Sequence, residues 1–392
     1  MSSASLREFM GLSEVVSKHR VVVCVGSGGV GKTTTSAALA LYAARQGRRV
    51  LCLTIDPAKR LANSMGLTSM TTEEQLVSRE LFERAGLPFN GTGSLSAMML
   101  DTKRTFDELV TRYASSPERA QRILDNQLYQ YISTSLAGTQ EYMAMEKLHA
   151  VRQRDQYDLI VLDTPPTTNA LDFLDAPEKL IEAIDSPAMR WFIQAFSGAG
   201  KLGFSLVGRG AQMVLKGLAK ITGGEFLDSV AQFVSDINDL FGGFTTRAKA
   251  VSEALRSPEV AFVLVTSPEP LAVKEAIFFA EKLGEHGMRQ QATVINRVIP
   301  LLSEPPGPEN QIASALVSAL SAAPDPAQLG AKLERALDEE RTRAVTCRVE
   351  VERLKALTGN RGLYVEVPAF DEDVHDLSAL ARVGHFLTQP QV

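Results

Sequence analysis

Sulfur and imidazole ligands are scarce in this chain. Its 392 residues hold three cysteines and five histidines. Cys24, Cys52 and Cys347 stand far apart, which excludes a CxxC metal pair within the chain and fits a reducing compartment where cysteine acts as a small buried hydrophobe. His19, His149, His286, His375 and His385 follow neither metal-ligand nor triad spacing. Apolar residues make up 45% of the chain, yet no run of about 18 of them occurs, and the N-terminus has no signal-type apolar core. A cytoplasmic protein without stable membrane insertion is therefore expected. A net charge of -5 and a pI near 5.7 leave no general basic surface, so no nucleic-acid partner is expected either.

What is present is a repeated strand-and-helix pattern. Short β-branched and apolar runs fall at 21–25, 50–56, 96–101, 159–163, 261–267, 292–298 and 363–368, with helical stretches between them. Continuously apolar strands alternating with helices predict a doubly wound α/β fold around a mainly parallel sheet. The helix after the first strand should end near Gly47. From about 176 to 245 the spacing turns helical without a strand, so we expect an α/β core of residues 1–175 and 246–392 interrupted by a helical subdomain at 176–245. The charged stretch LERALDEERTRAVTCRVEVERLKAL reads as a solvated helical face, and the amphipathic N-terminal LREFMGLSEVVSKHR as a segment docked on the domain.

GSGGVGKTTT, residues 26–35, lies directly after the first strand and before its helix. Gly26, Gly31, Lys32 and Thr33 fulfil GxxxxGK[ST] in the context that motif requires. Such glycines let backbone N–H groups converge on phosphates, the helix N-terminus adds partial positive charge, the lysine reaches the β and γ phosphates and the hydroxyl ligates Mg²⁺. Gly26, Ser27, Gly28, Gly29, Val30, Gly31, Lys32, Thr33 and Thr34 are the expected phosphate-binding residues. The fold class is thus that of a P-loop NTPase.

This loop, followed by LTIDPAKRLANSMGL, YDLIVLDTPPTTNALDFLDAP and INRVIP, resembles the ArsA family of P-loop ATPases, which includes arsenite-pump ATPases and the ATPase that delivers tail-anchored membrane proteins. The likeness covers most of the α/β core and weakens across the helical insertion and 310–357. It implies ATP or ADP with Mg²⁺ at a dimer interface. Asp56 and Asp163 match the acids that organise the metal together with Thr33, and Pro165, Pro166 and Thr167 match a switch that senses the γ phosphate. Asn296 matches the adenine-recognising asparagine, and PAFDED, residues 368–373 with Pro368 and Phe370 as its site residues, resembles the loop that closes over the base.

Two positions depart from that pattern. Ser27 stands where the family's signature lysine crosses to the partner's phosphates, and Asn63 aligns with a water-orienting aspartate. Losing such a charge removes an effect comparable to an arginine finger, worth about 10³ to 10⁵ in rate. An asparagine can still orient water, and Lys59, Arg60 or a paralogous subunit could supply charge, so a slow ATPase with Lys32, Asn63 and Asp163 as its catalytic set is expected. It would work as a homodimer or as a heterodimer with a paralogous ATPase.

The likeness also frames what the nucleotide could drive. Isolated cysteines do not suit arsenite. The insertion gathers Trp191, Phe192, Phe196, Phe204, Met213, Leu215, Phe226, Phe233 and Phe241 among glycines, which fits either a groove for a hydrophobic helical client or simply the insertion's own core. A nucleotide-gated positioning or scaffold protein of MinD or ParA type, or a weakly active regulatory subunit of a heterodimeric ATPase, stays open as an alternative.

Overall fold

A computed structural model describes residues 11–55, 59–67, 70–135, 139–164, 170–187, 245–301, 326–359 and 362–389, with 232, 233, 236, 243 and 321. Its frame is an eight-stranded sheet in the order β3-β4-β2-β5-β1-β6-β7-β8. The strands are β1 (Val21–Val25), β2 (Arg49–Thr54), β3 (Gln75–Leu76), β4 (Ser94–Met99), β5 (Leu159–Asp163), β6 (Val260–Thr266), β7 (Gln290–Val298) and β8 (Leu363–Pro368). Every pairing is parallel except that of β3 with β4. The chain is therefore a doubly wound α/β protein. All seven expected strands form, within a residue or two of their expected ends. The two-residue β3 carries no apolar run and escapes sequence reasoning.

Alternation along the strands explains why both faces are covered. Val21, Val23 and Val25 of β1 enter one buried cluster, Val22 and Cys24 the other. A strand apolar at every position gains stability only when helices cover both sides. The helices positioning the site are α1 (Ser13–Lys18), α2 (Lys32–Arg45), α3 (Lys59–Ser64), α4 (Thr139–Gln153), α5 (Ala170–Asp185), α6 (Pro270–Glu285), α7 (Pro326–Thr358) and α8 (Leu377–Thr388). Small residues let α2 lie close on the sheet, and Gly47 ends its C-terminal turn with φ +99° while its N–H donates to the Ala44 carbonyl at 3.0 Å.

The N-terminal segment docks as its amphipathicity suggests. Val15 and Val16 are buried, and the Leu12 N–H donates to the Leu387 carbonyl of α8 at 2.8 Å. The charged helix is only half solvated. Ala344, Cys347, Val351 and Leu354 of α7 are buried, because their 3-4-3 spacing places them on one face, whereas described residues from Gln328 to Glu339 are exposed. The expected helical insertion lies mostly outside the described residues, as do Trp191, Phe192, Phe196, Phe204, Met213, Leu215, Phe226 and Phe241; Phe233 is buried in the same cluster as Val21, Val23 and Val25. Among the described residues, no helix is long and apolar enough to cross a membrane.

Candidate functional site

Strand β1 is the point where the chain's windings diverge, with β5 and β2 on one side and β6, β7 and β8 on the other. Open α/β sheets present their clefts at the carboxyl ends of strands beside such a point. The glycine loop leaves β1 here. A β-carbon on Gly26 would lie 2.0 Å from the Val265 carbonyl oxygen, so only glycine lets the loop pass β6. Gly31 has φ +98°, and a β-carbon there would lie 2.2 Å from the Asn296 side-chain nitrogen. Asn296 fills that space and donates its amide to the Val30 carbonyl at 2.9 Å. Among the described residues its side-chain oxygen accepts no hydrogen bond.

The loop's cation and acid both lie inside the protein. Lys32 is 6% exposed and its ammonium donates to the Ser27 carbonyl at 2.7 Å. Asp163 is 1% exposed. It ends β5 level with Cys24 and Thr54, and one carboxylate oxygen accepts the Thr33 hydroxyl at 2.7 Å and the Thr54 hydroxyl at 3.0 Å. Next along the chain, the Thr164 hydroxyl donates to the Cys24 carbonyl at 2.8 Å.

These contacts bring hard oxygen donors together, the chemistry that suits Mg²⁺. The neighbouring thiols do not compete. Burial, followed by the Asp163 charge, holds the Cys52 thiol well above its ordinary value, and burial pushes Cys24 up to about 12. Cys347 is buried too, accepting the Ile299 N–H at 3.3 Å. Asp56, Pro165, Pro166 and Thr167 lie outside the described residues.

A cavity of about 610 Å³ opens over the loop. Its lining unites Gly29, Gly31, Lys32, Thr33, Thr34 and Asn63 with Asn296, Pro368 and Phe370, which sequence reasoning selected from opposite ends of the chain. Asn63 is exposed on α3. Gly26, Ser27, Gly28, Val30 and Asp163 do not line the cavity but build or brace the loop beneath it. Lys59 and Arg60 begin α3.

Other lining residues were missed. Arg297, His375 and Val383 reach the cavity from the β7 end, the loop after β8 and α8, whereas Glu372 and Asp373 belong to the PAFDED loop already marked by the family resemblance. His375 carries no spacing signal in the sequence; its Nδ1 lies 2.7 Å from the Asp373 carbonyl. His286 Nε2 also meets Asp175 of α5, at 3.0 Å, with Glu178 close by. Glu178 accepts Arg256 at 2.8 Å, which accounts for that cluster as an ion-pair network.

A glycine loop between a central parallel strand and a helix, with a buried lysine and an aspartate-held threonine at its mouth, defines a P-loop NTPase. The sequence model of the family described as anion-transporting ATPase matches residues 19–307, well over half of the chain. The chain belongs to this ArsA ATPase family, and its enzymatic class is that of an ATPase. It is 28% identical over 293 residues to ATPase GET3 of Malassezia globosa, covering 73% of this chain and 74% of that protein. It is 26% identical over 276 residues to ATPase get3 of Aspergillus terreus, covering 70% and 72%. A provisionally named arsenical pump-driving ATPase of Aquifex aeolicus is 25% identical over 287 residues, covering 72% of this chain and 64% of that protein.

Proposed function

We propose that the chain is a slow, Mg²⁺-dependent ATPase that works as a nucleotide-switched dimer on a hydrophobic client. The observation that carries this is the meeting of Lys32, Thr33 and Asp163 at the loop mouth, while position 27 carries a short serine side chain in place of a second ammonium. On triphosphate arrival the Lys32 ammonium leaves the Ser27 carbonyl for the β and γ phosphates, and the α2 N–H groups take the oxygens between them. Thr33 and Asp163 would hold the magnesium, which neutralises charge on the β and γ oxygens. Asn63 orients the attacking water through its amide.

The missing lysine sets the rate. With one ammonium where the family pattern has two, charge building on the transferred phosphoryl group is less well balanced, and a partner subunit can supply the rest. The dimer is either a homodimer or a heterodimer with a paralogous ATPase. The client is a hydrophobic helix held by the insertion at 176–245.

Turnover of the purified chain, Lys32→Ala and Ser27→Lys, measured with and without Mg²⁺, tests the catalytic part. Slow metal-dependent turnover, lost in Lys32→Ala and accelerated in Ser27→Lys, is expected. Fast turnover by the unmodified chain overturns the role given to Ser27. Native mass measurement with and without ATP reports the dimer and any client together, and a monomer under both conditions overturns the switch.

A further inference from the structure

Strand β7 has one irregularity where it runs beside β8. Asn296 is level with Val367 and Val298 with Pro368, so Arg297 has no partner across the ladder. Such a bulge re-aims the extra residue's side chain. Arg297 has φ +62°, a conformation that a β-carbon disfavours, and among the described residues Asp155 is the other non-glycine with positive φ. Asp155 is paired with Arg20. Arg297, by contrast, is exposed and lines the cavity, and its side chain has no hydrogen bond or ion pair among the described residues, although Glu372 and Asp373 line the same space.

The surroundings indicate what this cation is for. Pro368, Phe370, Val374 and Val383 give this end of the cavity apolar walls. Phe370 is itself braced, with the Phe386 ring centroid at 5.7 Å and the Arg382 guanidinium 5.8 Å from its own. A flat, acceptor-rich heterocycle fits between apolar walls and a donor-only guanidinium, which can stack on its face and donate to its ring nitrogens. We propose that Arg297 is a nucleotide-contacting residue that grips the purine base, held for that purpose on a strained bulge beside Asn296. This rests on the nucleotide-binding reading above.

Calorimetry with Mg²⁺ tests it, using ATP and inorganic tripolyphosphate against the unmodified chain and its Arg297→Ala, Arg297→Lys and Arg297→Gly variants. ATP should bind Arg297→Ala about 3- to 30-fold more weakly, with tripolyphosphate unchanged, and Arg297→Lys should recover part of the loss. Arg297→Gly should bind ATP as weakly as the alanine variant while melting at a higher temperature than the unmodified chain, since glycine adopts positive φ without strain. A purely structural residue would not separate affinity from stability in this way. Unchanged ATP affinity in Arg297→Ala overturns the proposal, as does an equal loss for tripolyphosphate, which would move the cation to the phosphates. Failure of the unmodified chain to bind ATP overturns the underlying nucleotide reading instead.

Discussion

The two ends of the cavity are built by opposite means. At the phosphate end one continuous stretch, from Gly26 to Thr34, supplies nearly everything, and Asp163 reaches it from the adjacent strand. At the far end single residues arrive from β7, β8, the loop after it and α8. Contiguous backbone can specify a phosphate cradle because amides and a helix N-terminus are local features. An apolar slot with a few donors has no local pattern, since its walls are assembled by packing.

Asn296 joins these ends mechanically. Its side chain occupies the space that a β-carbon on Gly31 would need, and its amide holds the Val30 carbonyl. Disturbing the far end should therefore be felt in the loop.

The largest expected effect lies at the phosphate end. Lys32→Ala should weaken ATP binding by about 100-fold or more, because a buried ammonium aimed at phosphate is removed, with little change in melting temperature. Calorimetry and thermal unfolding of the same sample check both halves of this statement. Comparable weakening from substitutions at the slot would break the contrast drawn here.

Gly31→Ala should come next. A side chain at φ +98° pressed against the Asn296 amide should cost about 1–3 kcal/mol in denaturant unfolding and weaken ATP binding about tenfold. Repeating the substitution in an Asn296→Ala background sharpens the point. The combined cost should be smaller than the sum, since the clash partner is gone, and strict additivity would disprove the joint between the two ends.

The smallest effect belongs to β8, which carries Pro368. Burial opposes ionisation of Glu366, but Arg348 at 3.0 Å and Lys355 at 2.9 Å outweigh it and hold the carboxyl below its ordinary range. Its stabilisation is complete at neutral pH, above the unfolded value near 4.3, and is lost as pH falls through the lower folded value. Glu366→Gln should cost about 1 kcal/mol or less at pH 7 and shallow the acid limb of stability below about pH 4. Unfolding curves at pH 7 and on the acid side would show an unchanged limb if the ion pairs contribute nothing.

Legibility in the sequence follows the same division. The seven long strands were readable because each is apolar throughout and flanked by helix, whereas the pair Gln75–Leu76 owes its strand state to β4 alone. Lys32 and Thr33 are marked by the glycine-loop motif and Asp163 by the family resemblance, and the structure brings Asp163 onto the Thr33 hydroxyl. Arg297 could not be, because its importance comes from a missing cross-strand partner, and nothing in INRVIP announces a bulge. Val383 lies on a helix whose face is set by α2, where Gly384 brings the two close: a β-carbon there would meet the Ala38 carbonyl at 3.3 Å. The α7 helix was read as solvated because its charges dominate the average, and the buried face through Cys347 and Val351 appears only once the helix packs.

The sequence by itself determined the parallel sheet and the glycine loop with its lysine and threonine, because periodicity and glycine placement act over a few residues, while Asp163 was marked by likeness to a family. Tertiary structure alone decided that Asn296 would lock Gly31, that Arg297 would be turned into the cavity, and that residues far apart in the chain would wall one slot. Those outcomes depend on strand register and helix approach, which are fixed only when the whole sheet is assembled.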